Sequence, residues 1–236
     1  MIANSVQHVE PTVGHSEYIF FAGDNVQLAG QVDYPKTKMP VNGYPLIFII
    51  QHATCTNRSG YLHFTRMGTE HGMAVFRWDK RGTGNSGGGT GSGTLDAVHA
   101  YKTALEQPSI DRNNAVIIAQ NEGTLLLAEA WSQFRQLQMP VGVVLAGNML
   151  DARDILLLDT RVTAIVSRSD WNAWQIYAEQ AARAHHERYP QYEASYYVAN
   201  GSNRRLKYEH GGAFHRGVSD HIKHWLTHTC KISPSY

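Results

Sequence analysis

Five short runs of the chain carry almost no polar residue, and they constrain the fold more than any other feature: Leu46–Gln51, Met73–Phe76 with Trp78 just beyond, Ala115–Ala119, Val141–Ala146 and Val162–Val166. A strand with one wet face alternates apolar and polar residues. Strands without that alternation need cover on both faces, the habit of parallel strands in α/β sheets. Amphipathic, helix-like stretches separate them at about 61–71, 94–107, 122–137, 171–188 and 218–229. Two earlier segments, 17–21 and 26–33, read as strands joined by the turn residues Gly23-Asp24-Asn25, and Leu206–Glu209 reads as the last strand. After the hairpin the order is β-α-β-α-β-α-β-β-α-β-α. This predicts an α/β fold with a mostly parallel sheet, an N-terminal antiparallel hairpin and helices on both faces. The stretch between Gly147 and Val162 is too short for a second domain, and no solenoid-type repeat occurs, so 1–236 is expected to be a single domain with little or no cap.

Charge excludes several function classes. Lys and Arg number 21 against 20 Asp and Glu, a net charge of +1, so no basic field points to nucleic acid or to an anionic membrane. The N-terminus shows no basic-then-apolar leader pattern, and no apolar run approaches the ~18 residues of a membrane span. Cys55 and Cys230 are too few and too distant for a disulfide framework, which fits a reducing compartment; the expected location is cytoplasmic. The expected partner is a small-molecule substrate, with no nucleic acid, membrane, cofactor or metal; a homo-oligomer is compatible with the sequence.

Ligands of open α/β sheets bind beyond the carboxyl ends of the strands, so the residues just past each strand carry the functional reading. These are His52-Ala53-Thr54-Cys55, then Asp79-Lys80-Arg81-Gly82-Thr83-Gly84-Asn85-Ser86, then Gln120-Asn121-Glu122-Gly123, then Ser167-Arg168-Ser169-Asp170, and Gly211-Gly212-Ala213-Phe214-His215 before the last helix. Over roughly residues 44–226 this series resembles the α/β-hydrolase superfamily, in particular its esterase, dienelactone-hydrolase-like and peptidase-like branches. The resemblance implies that the first loop supplies an oxyanion-hole amide and that the third is the nucleophile elbow, G-x-S-x-G, followed by the acid and then the histidine. It assigns the acid to Asp170, the base to His215 with His210 as competitor, and the oxyanion amides to Thr54 and Glu122.

The nucleophile is missing. The elbow reads Ala119-Gln120-Asn121-Glu122-Gly123, with Asn121 where the family has serine. A carboxamide is not deprotonated by histidine near neutral pH and its nitrogen lone pair is delocalised, so acyl-enzyme chemistry is closed at this position. His215 oriented by Asp170 is expected to remain a general base, with the backbone amides as an oxyanion hole. That leaves a cofactor-independent enzyme acting on a small ester, lactone or ketone, hydrolase-like or lyase-like, with Asn121 orienting substrate. The alternative is an inactive homologue that only binds its ligand.

Other motifs are weaker. Gly82-Thr83-Gly84-Asn85-Ser86-Gly87 satisfies the dinucleotide pattern G-x-G-x-x-G, but polar residues separate it from its strand and the helix begins late. His221, His224 and His228 share a helix face without carboxylate or thiolate companions, as solvated faces often do. Cys55 reads as a small buried thiol, and Asp170 also suits a helix N-cap.

Overall fold

The computed structural model describes residues 12–53, 57–170, 174–210 and 212–230. The opening hairpin pairs β1 (Val13–Ala22) with β2 (Gln27–Pro35), closed by a Gly23 N–H to Val26 C=O bond of 2.7 Å with Asn25 at φ 56°. Six more strands follow: β3 (Tyr44–Ile50), β4 (Ala74–Asp79), β5 (Ile110–Gln120), β6 (Gly142–Ala146), β7 (Val162–Ser167) and β8 (Ala194–Ala199). They form one eight-stranded sheet in the order β1-β2-β4-β3-β5-β6-β7-β8. The pairings β1·β2 and β2·β4 are antiparallel, and the remainder are parallel.

Every residue of β3, β4, β6 and β7 is buried, as apolar runs without alternation demand. The pleat sends successive side chains to opposite faces. Thus Leu46, Phe48 and Ile50 enter one core while Ile47 and Ile49 enter the other. The first core is covered by α2 (Gly93–Leu105), α3 (Glu122–Glu129), α4 (Trp131–Leu137) and α5 (Trp174–Arg188); the second by α1 (Leu62–Glu70) and α6 (Arg216–Thr229). Helix α5 begins at Trp174, and the predicted positions 171–173 lie outside the described residues. The helix predicted over 122–137 is interrupted at Ala130, which caps α3 and precedes α4.

One strand differs from expectation. The last strand is Ala194–Ala199, parallel to β7, whereas 206–209 contributes only isolated bridges, Lys207 to Phe214 and Tyr208 to Ser202. As an edge strand β8 is only half buried, so it lacks the continuous apolar run that marks the interior strands. The connection from β6 to β7 holds a single 3-10 turn, Asp154–Leu157, and builds no cap over the sheet.

Two buried ion pairs anchor loops to this frame. Arg77 of β4 reaches Asp33 of β2 at 2.5 Å and also donates to the Arg58 carbonyl at 2.8 Å. Asp79, fully buried at the end of β4, pairs with the Arg58 guanidinium and accepts the Arg58 and Asn85 N–H groups at 2.8 and 2.9 Å. One carboxylate thereby holds both the loop after β3 and the glycine-rich loop after β4. Such a pair is costly to break on one side, because the surviving charge is left buried.

Phe48 sits at the centre of the first core, with ring centroids of Tyr101, Phe76 and Phe134 at 5.1, 6.0 and 6.4 Å. Phe48→Ala is expected to lower unfolding free energy by about 3–5 kcal/mol, read as a shift in the denaturant midpoint with the m-value unchanged.

Candidate functional site

Strand β5 ends at Gln120, helix α3 starts at Glu122, and Asn121 makes the entire turn between them. Its φ of 49° and ψ of −118° lie where non-glycine residues are held only by their surroundings, at a cost of about 1–3 kcal/mol. Those surroundings are specific. The Asn121 N–H donates to Ala146 C=O at 2.9 Å, and its carbonyl accepts the Thr124 N–H at 2.8 Å and hydroxyl at 2.7 Å. Gly123 allows the helix to abut the sheet, since a Cβ there would lie 2.8 Å from Ile50 O and 2.9 Å from Gln51 O. On the far side the Asn121 carboxamide presses on Gly147, where any side chain would collide with Oδ1. Asn121 is 0% exposed, and neither its Oδ1 nor its Nδ2 has a hydrogen-bond partner among the described residues.

Glu122 faces the other way. Its carboxylate accepts the Ala53 N–H at 3.4 Å, pairs with Arg204 at 3.0 Å and lies 3.3 Å from His52 Nδ1. Burial opposes ionisation, but its own amide, His52, the Ala53 amide and Arg204 outweigh it and hold the carboxyl below its ordinary value. Burial pulls His52 down, and Arg205, Arg204 and Lys80 add to this against Glu122. The pair is therefore a neutral imidazole beside an ionised carboxylate, with Arg204 as the counter-charge. In the loop after β3 the amide in contact with the Glu122 carboxylate is that of Ala53. Thr54 lies outside the described residues.

His215 caps helix α6. Its Nδ1 accepts the Val218 N–H at 3.3 Å and its Nε2 meets the Asn200 carbonyl at 3.0 Å, so the ring is the Nε2–H tautomer with both nitrogens engaged on main chain. Asp170 follows β7 at the same end of the sheet, but among the described residues no hydrogen bond joins it to His215 or Asn121. His210 is exposed. Of the predicted site residues, then, Asn121 and Glu122 are adjacent at the elbow, Asp170 follows β7, and His215 opens α6.

Sequence reasoning missed the loop 200–208. There the Asn203 side chain accepts the Arg205 and Lys207 N–H groups at 2.9 and 3.2 Å, and Gln120 Nε2 donates to Arg205 C=O at 3.3 Å, which fixes Arg204 above the elbow. A pair of adjacent arginines in a chain only 17% charged was the available signal. The helix-face histidines are otherwise engaged: His221 bonds Thr163 Oγ1 at 2.9 Å and His228 bonds His224 C=O at 2.8 Å. Among the described residues no cluster of three metal-ligating side chains occurs, and no helix is long and apolar enough to cross a membrane.

Solved structures share this fold. A thermostable carboxylesterase cloned from a metagenomic library superposes with a TM-score of 0.70 at 11% identity, covering 96% of this chain and 92% of that one. The chain has the α/β-hydrolase fold. An esterase of Pyrococcus furiosus matches at 0.69 and 13% identity over 92% and 91% of the two chains. A lidless α/β serine hydrolase of Xanthomonas campestris matches at 0.66 and 16% over 94% and 98%. No protein-family model matches the sequence, and no curated protein does. At these identities the likeness establishes the fold and leaves the chemistry to the site.

The loop bearing His215 is clamped by Phe214, whose ring stacks on His63 of α1 at 4.2 Å. His63 Nε2 is buried with no partner among the described residues, and burial, aided by Lys207 and Arg77, pushes the imidazole down to about 3. The folded state keeps the ring neutral while the unfolded chain takes up a proton below 6.5, so this group costs stability as pH falls from 6.5 towards 3. Urea titrations of wild type and His63→Leu at pH 7 and pH 5 should show the stability difference moving towards the variant by about 1–2 kcal/mol.

Proposed function

We propose that this α/β-hydrolase-fold protein does not acylate and works by binding a small carbonyl or carboxyl compound at its elbow. The observation that carries this reading is the state of the elbow itself: a fully buried carboxamide at the apex of the turn, followed by a Glu122 carboxylate that accepts the Ala53 N–H and pairs with Arg204. Hydrolysis requires a nucleophile, a base and an open anion hole together. Here Asn121 supplies no nucleophile, His215 spends both ring nitrogens on the main chain, and the Glu122 carboxylate takes the Ala53 amide.

General-base catalysis by His215 and Asp170 on an ester, lactone or ketone is the second reading. It is favoured by their placement after β8 and β7, in the order and at the sheet edge where the fold family keeps base and acid. It requires His215 to leave the Asn200 carbonyl.

The two readings separate in one set of assays. Wild type is expected to resist a fluorophosphonate probe and to hydrolyse a panel of p-nitrophenyl esters and lactones no faster than buffer. Asn121→Ser alone is expected to stay unlabelled, because the histidine is committed elsewhere. Turnover by wild type that disappears in His215→Ala and in Asp170→Asn would overturn the non-acylating reading in favour of the second.

A further inference from the structure

The chain contains two Asn-Gly pairs, Asn42-Gly43 and Asn200-Gly201, and the fold treats them differently. Glycine leaves the preceding carboxamide open to attack by the next main-chain nitrogen, since no Cβ stands in the way. Gly43 is buried, and its N–H is committed to Pro40 C=O at 3.0 Å. Asn200 and Gly201 instead form an exposed turn just past β8, with Gly201 at φ 73° and its N–H without an acceptor among the described residues. The register of β7 on β8 sets Ser167 against Ala199, and the next N–H, that of Arg168, donates to Ala199 C=O at 3.0 Å. From there the Arg168 guanidinium donates to the Asn200 carboxamide oxygen at 3.3 Å. A cation on that oxygen draws electrons from the carboxamide carbon and stabilises the oxyanion that attack creates. The main-chain carbonyl of the same Asn200 accepts from His215 Nε2 at 3.0 Å.

We propose that Asn200-Gly201 is a self-modification site, and that its isoaspartyl product replaces the neutral carbonyl against His215 with a carboxylate. The Gly201 nitrogen gives its proton to water and bonds to the Asn200 side-chain carbonyl carbon; the Nδ2 group leaves as ammonia and a cyclic imide remains. Water then opens the imide at either carbonyl, with no oxidation or reduction at any step. Opening at the side-chain carbon restores the main chain and leaves an aspartate beside Arg168. Opening at the main-chain carbon routes the chain through the side chain and frees the former main-chain carbonyl as a carboxylate. That carboxylate stays on the Cα that follows Ala199 of β8, so the contact with His215 Nε2 becomes a charge-assisted one. The chemistry involves neither Asn121 nor Glu122, and it runs whether or not the elbow binds a ligand.

Ageing of the full-length protein at neutral and mildly alkaline pH, followed by peptide mapping with fragmentation, reads both sites in one sample. Deamidation at Asn200 is expected to outpace that at Asn42 by about fivefold or more, the rate factor that one net hydrogen bond is worth. In concentrated urea the two rates are expected to converge, because the difference belongs to the fold. Arg168→Gln is expected to slow Asn200 severalfold and Gly201→Ala to slow it further; a Cβ at Gly201 meets nothing within 4 Å, and melting checks that each variant folds. Aged wild type is expected to accept isoaspartyl-specific methyl transfer and to show a displaced His215 ring signal in proton–nitrogen spectra, whereas Asn200→Gln aged in parallel keeps its own His215 signal. The proposal is overturned if Asn42 keeps pace with Asn200 in the folded protein, if the ratio of the two rates is unchanged in urea, or if isoaspartate at Asn200 leaves the His215 signal where it was. It fails equally if the urea-unfolded chain deamidates at Asn200 while the folded protein does not.

Discussion

Burial of neighbouring strands on both faces is the constraint from which the rest of this molecule follows. With β3, β4, β6 and β7 buried at every position, helices must cover both sides of the sheet, and each connection between parallel strands must cross over. Crossovers deliver all the strand-to-helix loops to one edge. That is why His52, Asp79, Asn121 and Asp170, scattered along the chain, belong to the same end of the molecule.

Loops delivered to an edge still need fixing, and polar burial does this where apolar contacts are few. Asp79 ties the segment after β3 to the glycine-rich loop through Arg58 and Asn85, and Arg81 with Asp96, 2.7 Å apart, secures that loop against α2. The glycine-rich loop is thus a structural element held by carboxylates. Its resemblance to a dinucleotide fingerprint comes from needing tight turns, with Asp79 occupying the space that its amides enclose.

The elbow holds Asn121 in a strained backbone conformation between β5 and α3. A strained Asn121, held by the Ala146 and Thr124 hydrogen bonds and by close packing of Gly123 on β3, implies that the turn is maintained by the whole strand–helix junction rather than by the side chain at its apex. Beside it the Glu122 carboxylate pairs with Arg204 and lies against His52. The histidine at the start of α6 serves as a helix cap.

The sequence by itself determined the interior of the fold. The five apolar runs became β3 to β7, the hairpin formed where Gly23-Asp24-Asn25 placed it, and the elbow fell at Asn121 because a buried strand must end there and an amphipathic helix begin. That Asn121 has no nucleophilic side chain was equally legible, since it depends on one residue's chemistry and not on its neighbours. Tertiary structure alone decided the edge and the surroundings of Glu122. Strand β8 pairs on one side and stays half exposed, so Ala194–Ala199 has no distinctive pattern, and the expectation fell instead on 206–209. Arg204 lies 82 positions from the carboxylate it neutralises. A polar contact across that separation leaves no periodicity in the chain, and only the folded sheet brings its partners together.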